Sequence, residues 1–322
     1  MLCKKQKYKV SLLSQFEAEE LWQNSPQATL FVKPSVLSKL SEKVEYWVCR
    51  KGSENLCVWP VALDKQDAVY RPPFTYWVGP FWSSSGCKIP AHRWLSESTA
   101  VYESFIEHHL DRYGSINCSL PLGLSDVRVF DWWNYHHPDK KRFRISPRYT
   151  ARIDGLQDIP DISSGYRELR RRELRKMENL VSMVETTEPT VDEILQLYCL
   201  TMARQNKKIN PNTEQVVRSA IGLVGVGQGW MTAFRDVESE SIVSVDLVLE
   251  AKGVANLLIN VVRPEWRNRG LLPYTTHSAI MEARSRGCVT FDFNGANSPK
   301  RGDDKHSYGA KPVLYFDLIY SV

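Results

Sequence analysis

One order of secondary-structure elements occurs twice along this chain, and this repetition restricts the possible folds more than any other feature of the sequence. In the first half, three strand-like runs precede a helical segment from about Trp94 to Tyr113 and one further apolar run. The three runs are VEYWVCR, LCVWPVAL and FTYWVGPF. Their aromatic and β-branched residues are typical of strands, and their close succession favours an antiparallel sheet.

The second half repeats this order after two helical segments. Its strand-like runs are WMTAFRD, SIVSVDLVLEA and GVANLLINVVR. A helix from about Leu272 to Arg286, the strand VTFDF and a final strand PVLYFDLIYSV follow them. We therefore expect an α/β (α+β) protein of two similar modules, each a mixed, mostly antiparallel sheet flanked by helices.

The segment GLQDIPDISSG, rich in Gly, Pro, Asp and Ser, predicts a connection between the two halves. We place the domain boundary there, so that the modules cover residues 1–154 and 155–322. Basic residues concentrate on both sides of it. Residues 140–152 contain six basic residues and no acidic one, and a helix from about Tyr166 carries a second basic cluster. This distribution suits an anionic ligand more than a general affinity for polyanions.

The composition is that of a folded protein without a membrane segment. Hydrophobic residues make up 43% and charged residues 25% of the 322 positions, which argues against disorder. No apolar run approaches the roughly 18 residues that cross a bilayer, and the N-terminus MLCKKQKYKV lacks the apolar core of a secretory signal. We expect a cytoplasmic protein that does not insert into membranes. Its net charge of +5 permits an anionic ligand without requiring nucleic acid.

The seven cysteines give no sign of a metal site. They are scattered, none forms a C-x-x-C pair, and no histidine lies at zinc-ligand spacing from one. Most occur in apolar runs such as WVCR and LCVW, where a reduced cysteine is a small core residue. The sequence therefore predicts a reducing compartment and no bound metal.

The most informative segment for chemistry runs from residue 261 to residue 310. A strand ends at Arg263, a loop carries Arg267, Arg269 and Gly270, and a helix begins near Leu272. Backbone N–H groups at such a helix start, with arginines beside them, suit a phosphate or a carboxylate. An ordinary strand-to-helix connection with solvated arginines explains the same pattern.

Four separated segments resemble the FemABX-like branch of the GNAT acyltransferases. The strand, R-x-x-G and helix arrangement is similar to the acyl-CoA pyrophosphate loop of that superfamily, and FDFNGA followed by HSYGAKPVLYF is similar to the end of FemABX-like proteins. RPPFTYWVGPFW resembles their Pro-Pro-aromatic segment, and YRELRRRELRKMEN resembles the basic helix that opens their second module. The resemblance implies two GNAT modules in tandem, in agreement with the repeat.

The resemblance implies an N-acyltransferase. Its acceptor would be an amino group on a small-molecule or nucleotide-linked compound, such as a sugar nucleotide or a precursor of the cell envelope or of a polysaccharide. Acyl-CoA would be the donor, held by Arg263, Arg267, Arg269 and Gly270, as expected for relatives from bacterial polysaccharide clusters. Leu272 departs from the loop pattern, because it stands at a small-residue position and would crowd a pyrophosphate.

The alternatives are an aminoacyl-tRNA-dependent transferase of the FemABX kind and a non-catalytic nucleic-acid-binding protein that uses the two basic clusters. If the donor were tRNA, the basic helix would be the expected contact. The third interpretation predicts binding with a steep salt dependence and no acyl transfer. The basic clusters lack the Gly residues that nucleic-acid-binding segments interleave with basic and aromatic residues, which weakens it.

Acyl transfer of this kind proceeds by direct attack of the amine and needs a base but no enzyme nucleophile. The candidate base is Asp292, at the end of a buried strand, where a carboxylate is costly unless it is used or hydrogen-bonded. Asp246 also lies in a strand, and we expect it to face solvent. The resemblance places Arg301, Lys305 and His306 at the acceptor, although a solvated loop of mixed charge is the alternative.

Aromatic residues Trp132, Trp133 and Tyr135 form a cluster in the first half. Such a cluster either stacks on a sugar or a base or packs in the core, and the second is more common.

Overall fold

The computed structural model describes residues 7–209 and 211–321. Within them, the strands are β1 (Tyr8–Leu13), β2 (Lys43–Lys51), β3 (Glu54–Leu63), β4 (Phe81–Trp82), β5 (Ser115–Ser119), β6 (Arg144–Asp154), β7 (Val184–Thr186), β8 (Gly229–Asp236), β9 (Ile242–Ala251), β10 (Val254–Val262), β11 (Thr290–Asp292) and β12 (Lys311–Ser321).

The α-helices of this part of the chain are α1 (Gln15–Asn24), α2 (Pro34–Leu40), α3 (Ala91–Tyr113), α4 (Arg128–Asp131), α5 (Glu168–Glu178), α6 (Val191–Arg204), α7 (Pro211–Gly225), α8 (Pro264–Arg267), α9 (Leu271–Ser285) and α10 (Pro299–His306). Short 3₁₀ turns occur at Leu30–Val32, Gly86–Lys88, Ile162–Gly165 and Val181–Met183.

The chain divides into two compact units. The first comprises Met1–Arg148 with Leu314–Val322, and the second comprises Tyr149–Val313. Our predicted boundary follows residue 154, whereas the units divide after Arg148 and again after Val313. The end of β12 belongs to the first unit because it pairs with β5, with Asp317 opposite Ser119.

In the first unit, strands β1 to β4 form an antiparallel sheet in chain order. Large aromatic side chains, among them Trp59, Phe105 and Phe130, are fully buried in its core. The run FTYWVGPF is an exception to the strand prediction, because β4 contains just its last residue and the Trp after it. Phe74 and Trp77 have positive φ angles of 59° and 51°, which end any extended strand there.

In the second unit, the strand order is β6-β11-β10-β9-β8-β7, and each neighbouring pair is antiparallel except β10 and β11. Almost every residue of β9 is buried, as expected for a central strand covered on both faces. A capping box formed by Thr190 and Glu193 starts α6, and α9 packs against the sheet through Ala279, Ile280 and Ala283. Both units thus contain the predicted antiparallel sheets with helices beside them.

Candidate functional site

Strands β10 and β11 pair for a short distance and then separate. They are parallel, with Val254 to Asn256 opposite Thr290 to Asp292, and β11 ends there. β10 continues to Val262 along β9 and has a bulge between Leu257 and Ile259. One edge of β10 pairs with β9 along its length. Beyond Asn256, the opposite edge is not paired with β11, which has ended. The side-chain Nδ2 of Asn294 donates to the carbonyl of Leu257 at this opening, at 2.8 Å.

Asp292 lies at the point where the two strands separate, and its side chain is completely buried. Its Oδ1 accepts hydrogen bonds from the hydroxyl of Thr150 and, at 2.7 Å, from the backbone N–H of Asn294. Its Oδ2 has no hydrogen-bond partner among the described residues and lies 3.8 Å from Nε of Arg152. Burial raises the pKa of Asp292 to about 6 against the opposing effects of these groups and of Lys305. The carboxyl group can therefore gain and lose a proton near neutral pH.

Lys305 lies on α10 and holds the turn that follows β11. Its Nζ donates to the carbonyls of Phe293, Asn294 and Gly295 at 2.7, 2.5 and 2.8 Å. Burial lowers the pKa of Lys305 to about 8, while the charge of Asp292 opposes that shift. All three of its N–H groups donate to the backbone. Contact between Lys305 and an acceptor substrate therefore stays a prediction, and it requires that one of these hydrogen bonds be broken.

The other two predicted acceptor residues also lie on α10, which replaces the expected loop. The helix starts because the Ser298 side chain caps it and Pro299 occupies its first turn. The guanidinium of Arg301 is exposed, with no hydrogen bond to another described residue. Nδ1 of His306 lies 2.7 Å from the carbonyl of Ala310, so that nitrogen carries the proton and donates.

A second buried carboxyl group, that of Asp246 on β9, lies beside the open part of β10. Its Oδ1 accepts from Nδ2 of Asn260 at 2.6 Å, and the same nitrogen lies 3.0 Å from the hydroxyl of Thr276 on α9. Its Oδ2 has no partner among the described residues. Burial raises the pKa of Asp246 to about 7, and the bonds from Asn260 and Thr276 oppose this shift. The expectation that Asp246 faces solvent is wrong, because α9 covers that face of the central strand.

The predicted donor-binding residues all lie in the loop between β10 and α9, but most of their polar groups contact other parts of the protein. Nε of Arg263 donates to the carbonyl of Ile242 at 2.7 Å, and the guanidinium of Arg269 lies 4.6 Å from the ring centre of Trp266. The guanidinium of Arg267 is exposed and has no hydrogen-bond or ion-pair partner among the described residues. Gly270 has a φ of 86° and caps α9.

This loop fits a pyrophosphate poorly. The N–H groups of Asn268 and Arg269 donate to the carbonyl of Trp266, and that of Gly270 donates to the carbonyl of Arg267. Pro273 has no N–H to offer. Leu272 packs against an apolar cluster in the position where a small residue would leave space. Positive charge is present at the loop, but the N–H groups of Asn268, Arg269 and Gly270 already have acceptors within the loop.

The basic helix α5 is partly neutralised by its own acidic residues. Arg171, Arg172 and Arg175 all pair with Glu168, at 2.9, 3.2 and 2.9 Å. Three positive charges thus share one negative charge, and they remain substantially exposed. The surface of α5 therefore keeps an excess of positive charge. Surface pairs of this kind contribute little to stability.

Comparison with known proteins identifies a domain in the second half of the chain. Residues 164–305 match the family model described as an acetyltransferase (GNAT) domain. Residues 164–305 therefore form a GNAT domain. No curated protein matches the sequence.

Solved structures show the GNAT fold along nearly the whole chain. The structure is similar to that of FemX, with a TM-score of 0.65 at 11% identity over 96% of both chains. It is similar to a conserved protein of unknown function from Bacteroides thetaiotaomicron, with a TM-score of 0.58 at 12% identity over 97% of this chain and 100% of that one. A tandem GNAT protein from the clavulanic acid biosynthesis pathway gives a TM-score of 0.50 at 12% identity over 97% of both chains. The predicted GNAT resemblance and the predicted fold class are confirmed.

Within this GNAT domain, the sequence indicated Asp292 but not the amide side chains around it. Asn256 pairs with Asp292 in register, and Asn260 pairs with Asp246. Asn256 and Asn294 are almost fully buried, each with an amide oxygen that has no partner among the described residues. The available signal was polar residues inside apolar strands, which are costly to bury without a purpose.

Two further observations concern metal ligands and membrane segments. Among the described residues, no three His, Cys, Asp or Glu side chains gather closely enough to hold a metal ion. In the same part of the chain, no helix combines the length and the apolar character that spanning a membrane requires.

Proposed function

We propose that this GNAT protein is an N-acyltransferase that transfers an acyl group to an amino group by direct attack. The observation that supports this most strongly is the separation of β10 from β11 with the buried carboxyl group of Asp292 at the fork. An open strand edge offers backbone groups to an acyl carbonyl, and a carboxyl group with a pKa of about 6 suits proton transfer near neutral pH.

In this proposal, the acyl carbonyl lies along the open edge of β10 beyond Leu257. Backbone N–H groups there stabilise the negative oxygen that forms when the amine nitrogen attacks the carbonyl carbon. The bond from that carbon to the leaving sulfur or oxygen then breaks, and an amide remains. Asp292 accepts the proton that the amine loses, through its unpartnered Oδ2, and the proton passes to the leaving group.

We propose that the acceptor is a sugar nucleotide or a precursor of the cell envelope or of a polysaccharide, used in the cytoplasm of a bacterium. The resemblance read from the sequence supports this acceptor class. The guanidinium of Arg301 would contact an acceptor phosphate, because it is exposed and makes no hydrogen bond to the described residues. Lys305 and His306 would complete that contact from the same helix.

The proposed donor is acyl-CoA, with Arg263, Arg267, Arg269 and Gly270 at its phosphates. A second candidate, an aminoacyl-tRNA, is favoured by one observation: three backbone N–H groups of the loop from Arg267 to Leu272 already have acceptors within it, and Leu272 crowds the loop. An aminoacyl-tRNA has no pyrophosphate group for this loop to bind. Charged residues of α5, with their excess of positive charge, would then face the tRNA backbone.

Thermal-shift measurements and transfer assays with matched ligands test the proposal. Acetyl-CoA is compared with free coenzyme A, and aminoacyl-tRNA is compared with deacylated tRNA, each in the presence of an amino-sugar nucleotide. Transfer from either donor supports the acyltransferase and identifies the donor. If no donor shifts the melt or supports transfer, the proposal fails. Binding of deacylated tRNA with steep salt dependence and no transfer would favour the non-catalytic alternative.

A further inference from the structure

In the first unit, helix α4 and the tight turns that follow it to residue 141 hold aromatic side chains at the surface. The N–H of Trp132 donates to the carbonyl of Arg128 at 2.8 Å, and the N–H of Tyr135 donates to the carbonyl of Trp132 at 3.0 Å. Nδ2 of Asn134 donates to the carbonyl of Lys141 at 2.9 Å and closes the segment. Trp133 points inward and packs against the core of the unit. The neighbouring rings therefore point outward on a fixed backbone.

We name the outward rings of Trp132, Tyr135 and His136 the aromatic shelf. Trp132 and Tyr135 are 55% and 48% exposed, although side chains of this size normally bury most of their surface. Their rings stack with centres 4.4 Å apart and planes 21° apart, and His136 contacts both edge-on. The guanidinium of Arg142 lies 4.9 Å from the ring centre of Tyr135. The shelf is thus a preformed flat surface that presents the indole of Trp132.

The shelf forms one side of a cleft of about 540 Å³ in the first unit, a volume typical of small-molecule sites. Glu103 on α3 and Arg128 on α4 also line the cleft. Nε and Nη2 of Arg128 are bonded to Asp126 at 2.9 and 2.6 Å, which leaves Nη1 as a donor. Glu103 has no ion-pair partner among the described residues and offers two acceptor oxygens. Donors and acceptors therefore stand beside a flat apolar surface.

The charges of the cleft select against a phosphorylated ligand. The positive charges of Arg128 and of Arg142 are already balanced by Asp126 and Asp131, and Glu103 adds a negative charge. A nucleotide stacked on Trp132 would need positive charge along its phosphates, which this lining does not supply. A neutral polyhydroxylated ring has the complementary chemistry: an apolar face of C–H groups for the negative face of an indole, and hydroxyl groups at its edge for a carboxylate and a guanidinium.

From this geometry we propose that the cleft of the first unit is a saccharide-binding site, in which Trp132 stacks on a sugar ring while Glu103 and Arg128 bind its hydroxyl groups. The site lies wholly in the first unit and does not depend on the acyl transfer proposed for the second. It would hold a neutral saccharide, either a free oligosaccharide or the sugar portion of a larger molecule.

Saturation-transfer NMR and calorimetric titration of the full chain test this site with glucose, cellobiose, N-acetylglucosamine and chitobiose as probes. Trp132→Ala is expected to weaken binding by about tenfold or more, because the stacking surface is lost. Glu103→Gln is expected to weaken it by a smaller factor. Phe16→Ala is the control, since it removes another exposed aromatic ring of the same unit, one outside the cleft lining, and should leave binding unchanged.

The proposal is supported if at least one probe binds in the millimolar range or tighter, if Trp132→Ala weakens that binding by about tenfold or more, and if Phe16→Ala leaves it unchanged. Absence of binding by all four probes overturns it, as does binding that Trp132→Ala does not alter. Uridine monophosphate is titrated in parallel, and its binding at Trp132 without saccharide binding would overturn the proposal in favour of a nucleobase. Self-association that Trp132→Ala abolishes, again without saccharide binding, would overturn it in favour of contact between copies.

Discussion

Asp292 and Lys305 carry opposite charges at the end of β11. The effect of each charge on the pKa of the other group opposes the effect of burial. Burial favours the neutral form of both groups, while each charge favours the charged form of the other. The backbone carbonyls bound by Lys305 belong to the residues directly after Asp292. Lys305 thus acts as a positioning residue for the turn at the fork, in addition to any contact it makes with an acceptor.

Replacing Asp292 with Asn tests the proposed base. The amide keeps the hydrogen bond from Thr150 but accepts no proton, so turnover is expected to fall about 100-fold or more while donor affinity changes little. Transfer rates and donor titrations on the same preparation measure the two effects. Asp303→Asn serves as the control, because Asp303 is exposed and pairs with Arg167 on the surface. Unchanged turnover in a folded Asp292→Asn variant would remove Asp292 from the mechanism.

At the scale of single residues, the sequence predicted Asp292 because a carboxylate in an apolar strand is costly. It could not predict the surroundings of Asp246. An alternating strand pattern is compatible with a solvent-facing Asp, and the cover from α9 depends on how helix and sheet pack. The bonds from Asn260 to Asp246 and Thr276 join three elements, and no local pattern specifies them.

The loop before α9 is the element whose geometry most affects the choice of donor. Gly270 has a left-handed backbone, and a Cβ at this position would collide with the carbonyl oxygen of Glu173 on α5. The same glycine that resembles part of an anion-binding loop therefore also serves as the point where α5 and α9 approach each other. Its presence alone is no sign of coenzyme A binding.

Gly270→Ala is expected to destabilise the fold through both effects, strain at positive φ and the collision with α5. Gly287→Ala is the matched control, since Gly287 has a φ of 80° but open space around the added carbon. The control should lose about 1 kcal/mol of unfolding free energy and Gly270→Ala at least about 2 kcal/mol. Urea denaturation of both variants measures the difference. Equal losses would show that α5 yields to the added carbon without cost.

At the scale of elements, the repeat predicted the sheets and most helices, because periodicity and residue type determine them locally. Helix α10 was missed although Ser298 and Pro299 are typical of a helix start, since the mixed charges after them suggested a loop. The fork between β10 and β11 was beyond prediction. It depends on where two parallel strands separated by a helix stop pairing, and chain order does not specify this.

For the molecule as a whole, Asp246 and Asp292 make stability depend on pH in an unusual direction. Most carboxylates in folded proteins have lowered pKa values and stabilise the fold as the pH rises. These two have raised pKa values, so the folded state binds more protons than the unfolded state between about pH 4 and pH 7. Their contribution is fully present below the pKa of the unfolded chain and is lost as the pH rises through the folded values.

Asp246→Asn should remove one part of this dependence. The amide still accepts from Asn260 and does not ionise, so relative to the parent protein the variant is expected to gain stability between pH 4 and pH 8. The pKa shift from 3.8 to about 7 limits this gain to about 4 kcal/mol. Urea denaturation at pH 5 and pH 8 measures the unfolding free energy of both proteins. If Asp246 is buried as described, its charge destabilises the folded state at pH 8. A difference in unfolding free energy between variant and parent that is the same at both pH values would contradict that burial.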